Sequence, residues 1–144
     1  MLFGQDRQQL RQFFINVWHK YRSRVPLEPL EDLVAGVIQE HPEYHALLES
    51  GEAALGRDYL PEMGETNPFL HMGMHIAIRE QLASGRPVGL ETVHRELALR
   101  LGDTHAAEHR IMECLAETLW QAQRAGVAPD EPAYMDCLRR LART

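Results

Sequence analysis

The fold class is decided by a stretch that reads Asn67-Pro68-Phe69-Leu70-His71-Met72-Gly73-Met74-His75-Ile76-Ala77-Ile78. Asparagine followed by proline is a typical helix start, because the Asn side chain caps free backbone N–H groups and proline suits the first helical position. Apart from its two histidines the stretch is apolar on every side, and a helix of that kind is normally buried all round. The sequence therefore predicts a buried helix that runs to Ser84, with His71 and His75 inside.

Amphipathic helical spacing recurs on both sides of this stretch. The other predicted helices cover residues 6–24, 28–40, 89–101, 105–125 and 130–142, and the second continues beyond a bend at His41-Pro42 into residues 43–49. No segment shows the period-two alternation of a sheet strand. We therefore expect an all-α, single-domain up-and-down bundle of five to six helices over residues 1–144, with an irregular loop at about 50–66 that is rich in glycine.

Length and charge exclude several classes of function. With 144 residues and a mass of 16.5 kDa, the chain has enough material for one ordinary core. Its formal charge of −6 and the lack of a basic stripe argue against nucleic acid and anionic membranes as partners. We find no apolar run of membrane-spanning length and no secretory signal in Met1–Asp6. The expectation is a soluble, cytoplasmic protein.

The two cysteines, Cys114 and Cys137, lie far apart and form no CxxC pair. This spacing favours reduced, inert thiols over a disulfide framework or a zinc knuckle. Cysteine chemistry is therefore not expected.

Histidine is the unusual residue of this chain, with eight copies. Three pairs are separated by four positions: His41 and His45, His71 and His75, His105 and His109. That spacing places two side chains on one face of a helix. The apolar stripe of the 105–125 helix, extended backwards, passes through His105, Glu108 and His109, so we expect all three to face the core.

Topology adds a reason to group these pairs. In an up-and-down bundle, the end of the second helix lies at the same pole as the starts of the third and fifth. Those are the places that the three pairs occupy, whereas His19 and His94 fall toward the opposite pole. Either His41 or His45 is therefore expected to join the other pairs at one pole.

A buried imidazole needs a partner for each ring nitrogen, and a metal ion is one such partner. The candidate metal ligands are His71, His75, His105, His109, His45 and Glu108. A shell of nitrogen and carboxylate ligands suits zinc or iron, or else copper, manganese or nickel, and disfavours calcium and magnesium. With three ligands an open position can activate water, with Glu108 or Glu113 as acid-base partner, as in a metal-dependent hydrolase or oxidoreductase. With four ligands the ion is structural or carried.

The sequence also resembles a known family in several short strings: Met1-Leu2-Phe3-Gly4, Pro26-Leu27-Glu28-Pro29-Leu30, His41-Pro42-Glu43-Tyr44-His45 and, most specifically, Asn67–His75. It is similar over nearly its whole length to the proteobacterial domain-of-unknown-function family 1841. The resemblance implies no activity and no catalytic residues. The histidines also resemble those of hemerythrin-like bundles, but the inner motifs are both HxxxH, so the hemerythrin pattern is not reproduced.

Two hypotheses without a metal ion stay open. In one, the protein is a helical interaction module, possibly a homodimer, whose histidines are polar groups of the core. In the other, helix starts and protonatable imidazoles bind a small anionic ligand. The sequence contains no nucleophile elbow, phosphate loop or dinucleotide fingerprint, so it identifies neither catalytic residues nor a substrate.

Overall fold

The computed structural model describes residues 7–51 and 67–143. Within these ranges the regular structure is entirely helical, which confirms the all-α class. The predicted irregular loop at 50–66 lies almost wholly outside the described residues. Among the helices that are described, none combines the length and the apolar character of a membrane span.

Seven α-helices and one 3₁₀ turn lie in the described ranges, slightly more than the five to six helices predicted. They are α1 (Arg7–Arg22), α2 (Pro29–Gln39), the 3₁₀ turn (Pro42–Tyr44), α3 (His45–Glu49), α4 (Pro68–Ser84), α5 (Leu90–Leu101), α6 (Thr104–Ala125) and α7 (Glu131–Arg143). The additional helix is α3. It is separate from α2 because Pro42 lacks the N–H that a continuous helix requires.

Local signals place these helices as the sequence predicts. The Asn67 side chain accepts hydrogen bonds from the backbone N–H groups of Phe69 and Leu70, at 3.0 and 3.2 Å, and so caps α4. Helix α5 ends at Gly102, whose φ of +73° lies in the left-handed region that favours glycine. Most boundaries therefore fall within two residues of the predicted ones.

The chain forms two compact units, residues 1–76 and 77–144, and the division falls within α4. In unit 1, α1 packs against α2 and α3. The buried apolar side chains there come from α1, α2, α3 and the first half of α4: Phe14, Val17, Trp18, Val34, Val37, Ile38, Leu48, Phe69, Met72 and Ile76 among them. This core buries one face of each helix. His41 directly follows the end of α2, and His71 and His75 lie near the start of α4.

In unit 2, the helices α5, α6 and α7 pack against one another in pairs. Their facing sides bury Leu90, Val93, Leu97, Ile111, Leu115, Tyr134, Met135 and Leu138. Cys114 on α6 and Cys137 on α7 form a disulfide, so the expectation of two reduced, inert thiols is wrong. The sequence did not reveal the pairing because it depends on how α7 folds back onto α6, which no local spacing encodes.

Candidate metal centre

His41 follows the last turn of α2, directly before the proline that ends it. Its side chain is 2% exposed, and its Nδ1 lies 2.7 Å from the carbonyl oxygen of Val37. Because a carbonyl oxygen only accepts hydrogen bonds, Nδ1 carries the proton. In the neutral ring the lone pair is then on Nε2, which is the arrangement that a metal-binding histidine needs.

Helix α4 brings two further imidazoles to His41. His75 is completely buried and His71 is half-buried. The ring centroid of His41 lies 4.9 Å from that of His75 and 5.1 Å from that of His71. The ring centroids of His71 and His75 lie 4.9 Å apart. The expectation that this helix carries its histidines inward is therefore confirmed for His75 and holds in part for His71.

His41 and His75 are the pair whose geometry best suits a metal. Each offers a ring nitrogen, and these two atoms lie within 4.8 Å of each other. Two imidazole nitrogens on one tetrahedral zinc lie about 3.3 Å apart, given bonds of about 2.0–2.1 Å. A separation within 4.8 Å is compatible with binding one ion.

His45, the other candidate of the first pair, has different neighbours. Its Nε2 lies 2.8 Å from the carbonyl oxygen of Ile38 and therefore donates a hydrogen bond to it. Its ring lies 4.3 Å from that of Trp18. These contacts tie the start of α3 to α1 and α2, which is a structural role within unit 1.

Tyr44 is a neighbour that the sequence analysis did not single out. Its ring stacks on His41 with an interplanar angle of 3° and a centroid distance of 5.5 Å, and it meets His71 edge-on at 6.3 Å. Burial, and then the nearby Glu43 carboxylate, raise the pKa of the Tyr44 hydroxyl above its usual value. Tyr44 therefore remains a neutral phenol beside the histidines at neutral pH.

Unit 2 contains the second group of histidines. His105 and His109 lie on the first two turns of α6, with ring centroids 4.4 Å apart and one nitrogen of each within 4.8 Å of the other. His105 is half-buried, but His109 is exposed, so the expectation that both face the core is wrong for His109. The buried face of α6 passes instead through Glu108 and Ile111, and His109 lies beside that face.

Glu108 is buried and forms an ion pair with Arg79 of α4. The Nε of Arg79 lies 3.1 and 3.3 Å from the two carboxylate oxygens. Arg79 was not predicted from the sequence. The signal that could have revealed it is its spacing, since Arg79 follows His75 by four residues and thus lies one turn further along the same side of α4.

The remaining histidines lie elsewhere. His19 on α1 is exposed, and His94 is half-buried on α5. Arg11 is a further difference from the sequence pattern, because it is 2% exposed and its guanidinium lies 4.9 Å from the centroid of the Phe69 ring. A contact between a guanidinium and the face of an aromatic ring stabilises the buried arginine.

A family model described as "Domain of unknown function (DUF1841)" matches residues 6–140. The chain belongs to this family. The match confirms the resemblance seen in the sequence and covers all the histidines of both groups. No curated protein and no solved structure matches the chain.

Proposed function

We propose that the protein binds transition-metal ions, with zinc and iron the best matches, through its two histidine pairs: His41 with His75 in unit 1, and His105 with His109 in unit 2. The observation that carries this proposal is the pairing of His41 with His75, because their ring nitrogens meet in a fully buried position of unit 1. These residues are 34 positions apart in the chain. Two buried imidazoles from distant segments, side by side, are what a metal site needs and what an ordinary apolar core rarely contains.

The tautomer of the neutral His41 ring, with its hydrogen on Nδ1, supports the proposal. A backbone carbonyl that accepts from Nδ1 fixes both the tautomer and the ring orientation, as outer hydrogen bonds do for most metal-binding histidines. The resulting Nε2 lone pair favours cations of intermediate softness, such as zinc and ferrous iron, over calcium and magnesium.

The second histidine group and its neighbours complete the proposal. His105 and His109 supply a further pair of nitrogens on α6. Glu108, because it is paired with Arg79, serves as an orienting or acid-base group and not as the principal ligand. Of the other ligands proposed from the sequence, His71 takes a supporting place beside His41 and His75. His45, which contacts Ile38 and Trp18, keeps a structural role in unit 1. A metal site whose coordination is closed is structural or carries the ion, whereas a site with an open position is catalytic, as in a hydrolase or an oxidoreductase.

Elemental analysis tests this function. Untagged protein, purified without added metal or chelator, is expected to contain near-stoichiometric zinc or iron. The double variants His41→Gln/His75→Gln and His105→Gln/His109→Gln are each expected to contain less metal than the wild type, while the exposed His19→Gln serves as a matched control and retains it. Circular dichroism verifies that each variant is folded.

The stoichiometry of loss also reveals how the two groups act. If each double variant loses only its own part of the metal, each histidine pair binds an ion. If one double variant loses all the metal and the other retains it, only the first pair binds. A wild-type protein that contains no metal after anaerobic reconstitution with zinc and with ferrous iron, and that stays fully folded in chelator, would overturn the proposal in favour of a metal-free interaction module.

A further inference from the structure

The disulfide between Cys114 and Cys137 involves none of the histidines and has no place in the proposed function. It joins the middle of α6 to the middle of α7, with a Cα–Cα distance of 5.8 Å. Both helices belong to unit 2, so the bond forms within one compact unit. The chemistry of this bond depends on how each sulfur is reached.

The two cysteines differ in exposure. Cys114 is buried, with 3% of its surface exposed, whereas Cys137 is partly exposed. Thiol–disulfide exchange requires an attacking thiolate to reach one sulfur of the bond directly. An external thiol therefore reaches Cys137, and Cys114 is the sulfur that leaves.

Contacts other than the disulfide hold α7 against its neighbours. Met135 and Leu138 are buried, and the hydroxyl of Tyr134 donates a hydrogen bond to Oε1 of Gln81 at 2.9 Å. None of these contacts involves the sulfur atoms, so we expect them to persist when the disulfide opens. The two thiols consequently stay close to each other after reduction, which favours their joining again.

We propose that Cys114 and Cys137 form a reversible redox modification site that exchanges with low-molecular-weight thiols and disulfides of the glutathione class. In oxidation of the reduced protein, the Cys137 thiolate attacks one sulfur of the small-molecule disulfide, forms a mixed disulfide with it and releases one small thiolate. The Cys114 thiolate then attacks the Cys137 sulfur, closes the internal disulfide and releases the second small thiolate. One small disulfide is reduced to two thiols while the protein dithiol loses two electrons and two protons.

The test measures which sulfur reacts. Reduced wild-type protein, Cys114→Ser and Cys137→Ser are each incubated, folded, with oxidised glutathione, and the products are followed by intact mass. Wild type is expected to form the internal disulfide without lasting adduct, because Cys114 resolves it. Cys114→Ser is expected to accumulate one glutathione adduct on Cys137. Cys137→Ser is expected to react at least about tenfold more slowly, because its remaining thiol, on Cys114, is buried.

The reverse reaction supplies a second measurement on unaltered protein. Oxidised wild type in reduced glutathione is expected to open at a rate that does not rise in step with unfolding as low concentrations of urea are added. Equal adduct formation in the two serine variants would overturn the proposal. So would a disulfide that opens only when unit 2 unfolds, since the bond would then be purely structural. Neither outcome depends on whether metal is bound.

Discussion

At the residue scale, Glu31 shows how one carboxylate can join two helices. Its Oε2 accepts a hydrogen bond from Nζ of Lys20 on α1 at 2.7 Å, and its Oε1 accepts from the backbone N–H of Glu28 at 2.9 Å, in front of α2. The Lys20 hydrogen bond, and next the backbone one, hold the pKa of the Glu31 carboxyl below its ordinary value of 4.5. The stability of unit 1 therefore depends on this charge.

The sign of that dependence gives a prediction. A lowered pKa in the folded state stabilises the protein at pH values above 4.5, and this contribution is lost as the pH falls from 4.5 through the folded pKa. We expect Glu31→Gln to lower the free energy of unfolding at pH 7 and to flatten its dependence on pH below 4.5. Urea unfolding at a series of pH values measures both effects.

Glu80→Gln provides the matched control, because it removes an exposed carboxylate from α4. If both variants change the pH dependence of unfolding equally, the Lys20–Glu31 interaction has no special part in it.

At the scale of the elements, three residues end one helix and begin the next. Gly102 closes α5 in a left-handed conformation, and Asp103 follows in an extended one, with φ −158° and ψ 126°. The Asp103 side chain accepts hydrogen bonds from the N–H groups of His105 and Ala106 at 3.1 and 3.3 Å. The first turn of α6, which carries His105 and adjoins Glu108, is thus held by a single side chain.

We expect Asp103→Ala to lower the free energy of unfolding by about 1 kcal/mol, the usual cost of losing an N-cap. Asp103→Asn keeps an acceptor oxygen and should retain most of that stability. Urea unfolding compares the two variants, and hydrogen exchange of the first-turn amides of α6 locates the effect. Equal stability of wild type and Asp103→Ala would show that this cap does not stabilise α6.

At the scale of the whole molecule, one covalent bond distinguishes the two units. The disulfide of unit 2 joins residues 23 positions apart. A cross-link of about that span restricts the unfolded chain and, in the chain-entropy account, contributes roughly 3 kcal/mol to stability. Among the described residues, unit 1 contains no corresponding bond, because both cysteines of the chain lie in unit 2.

Reduction should therefore act unevenly along the chain. We expect the reduced protein, and a Cys114→Ala/Cys137→Ala variant, to exchange the amides of α6 and α7 faster, while the protection of α1 and α2 changes little. Hydrogen exchange followed by mass spectrometry measures this difference by segment. Equal loss of protection in both units would mean that they unfold together, and no loss would mean that the cross-link does not stabilise unit 2.

The sequence by itself determined the helices and their boundaries, because apolar periodicity and capping residues such as Asn67 act within a few positions. It also determined that His71 and His75 share one side of a helix, and it identified the family. Which residues contact one another across different segments was decided only by the tertiary structure. The approach of His41 to His75, the Arg79–Glu108 ion pair, the exposure of His109 and the bond from Cys114 to Cys137 each depend on packing between segments distant in the chain. Such packing is set by the sum of many buried contacts, and no local spacing encodes it.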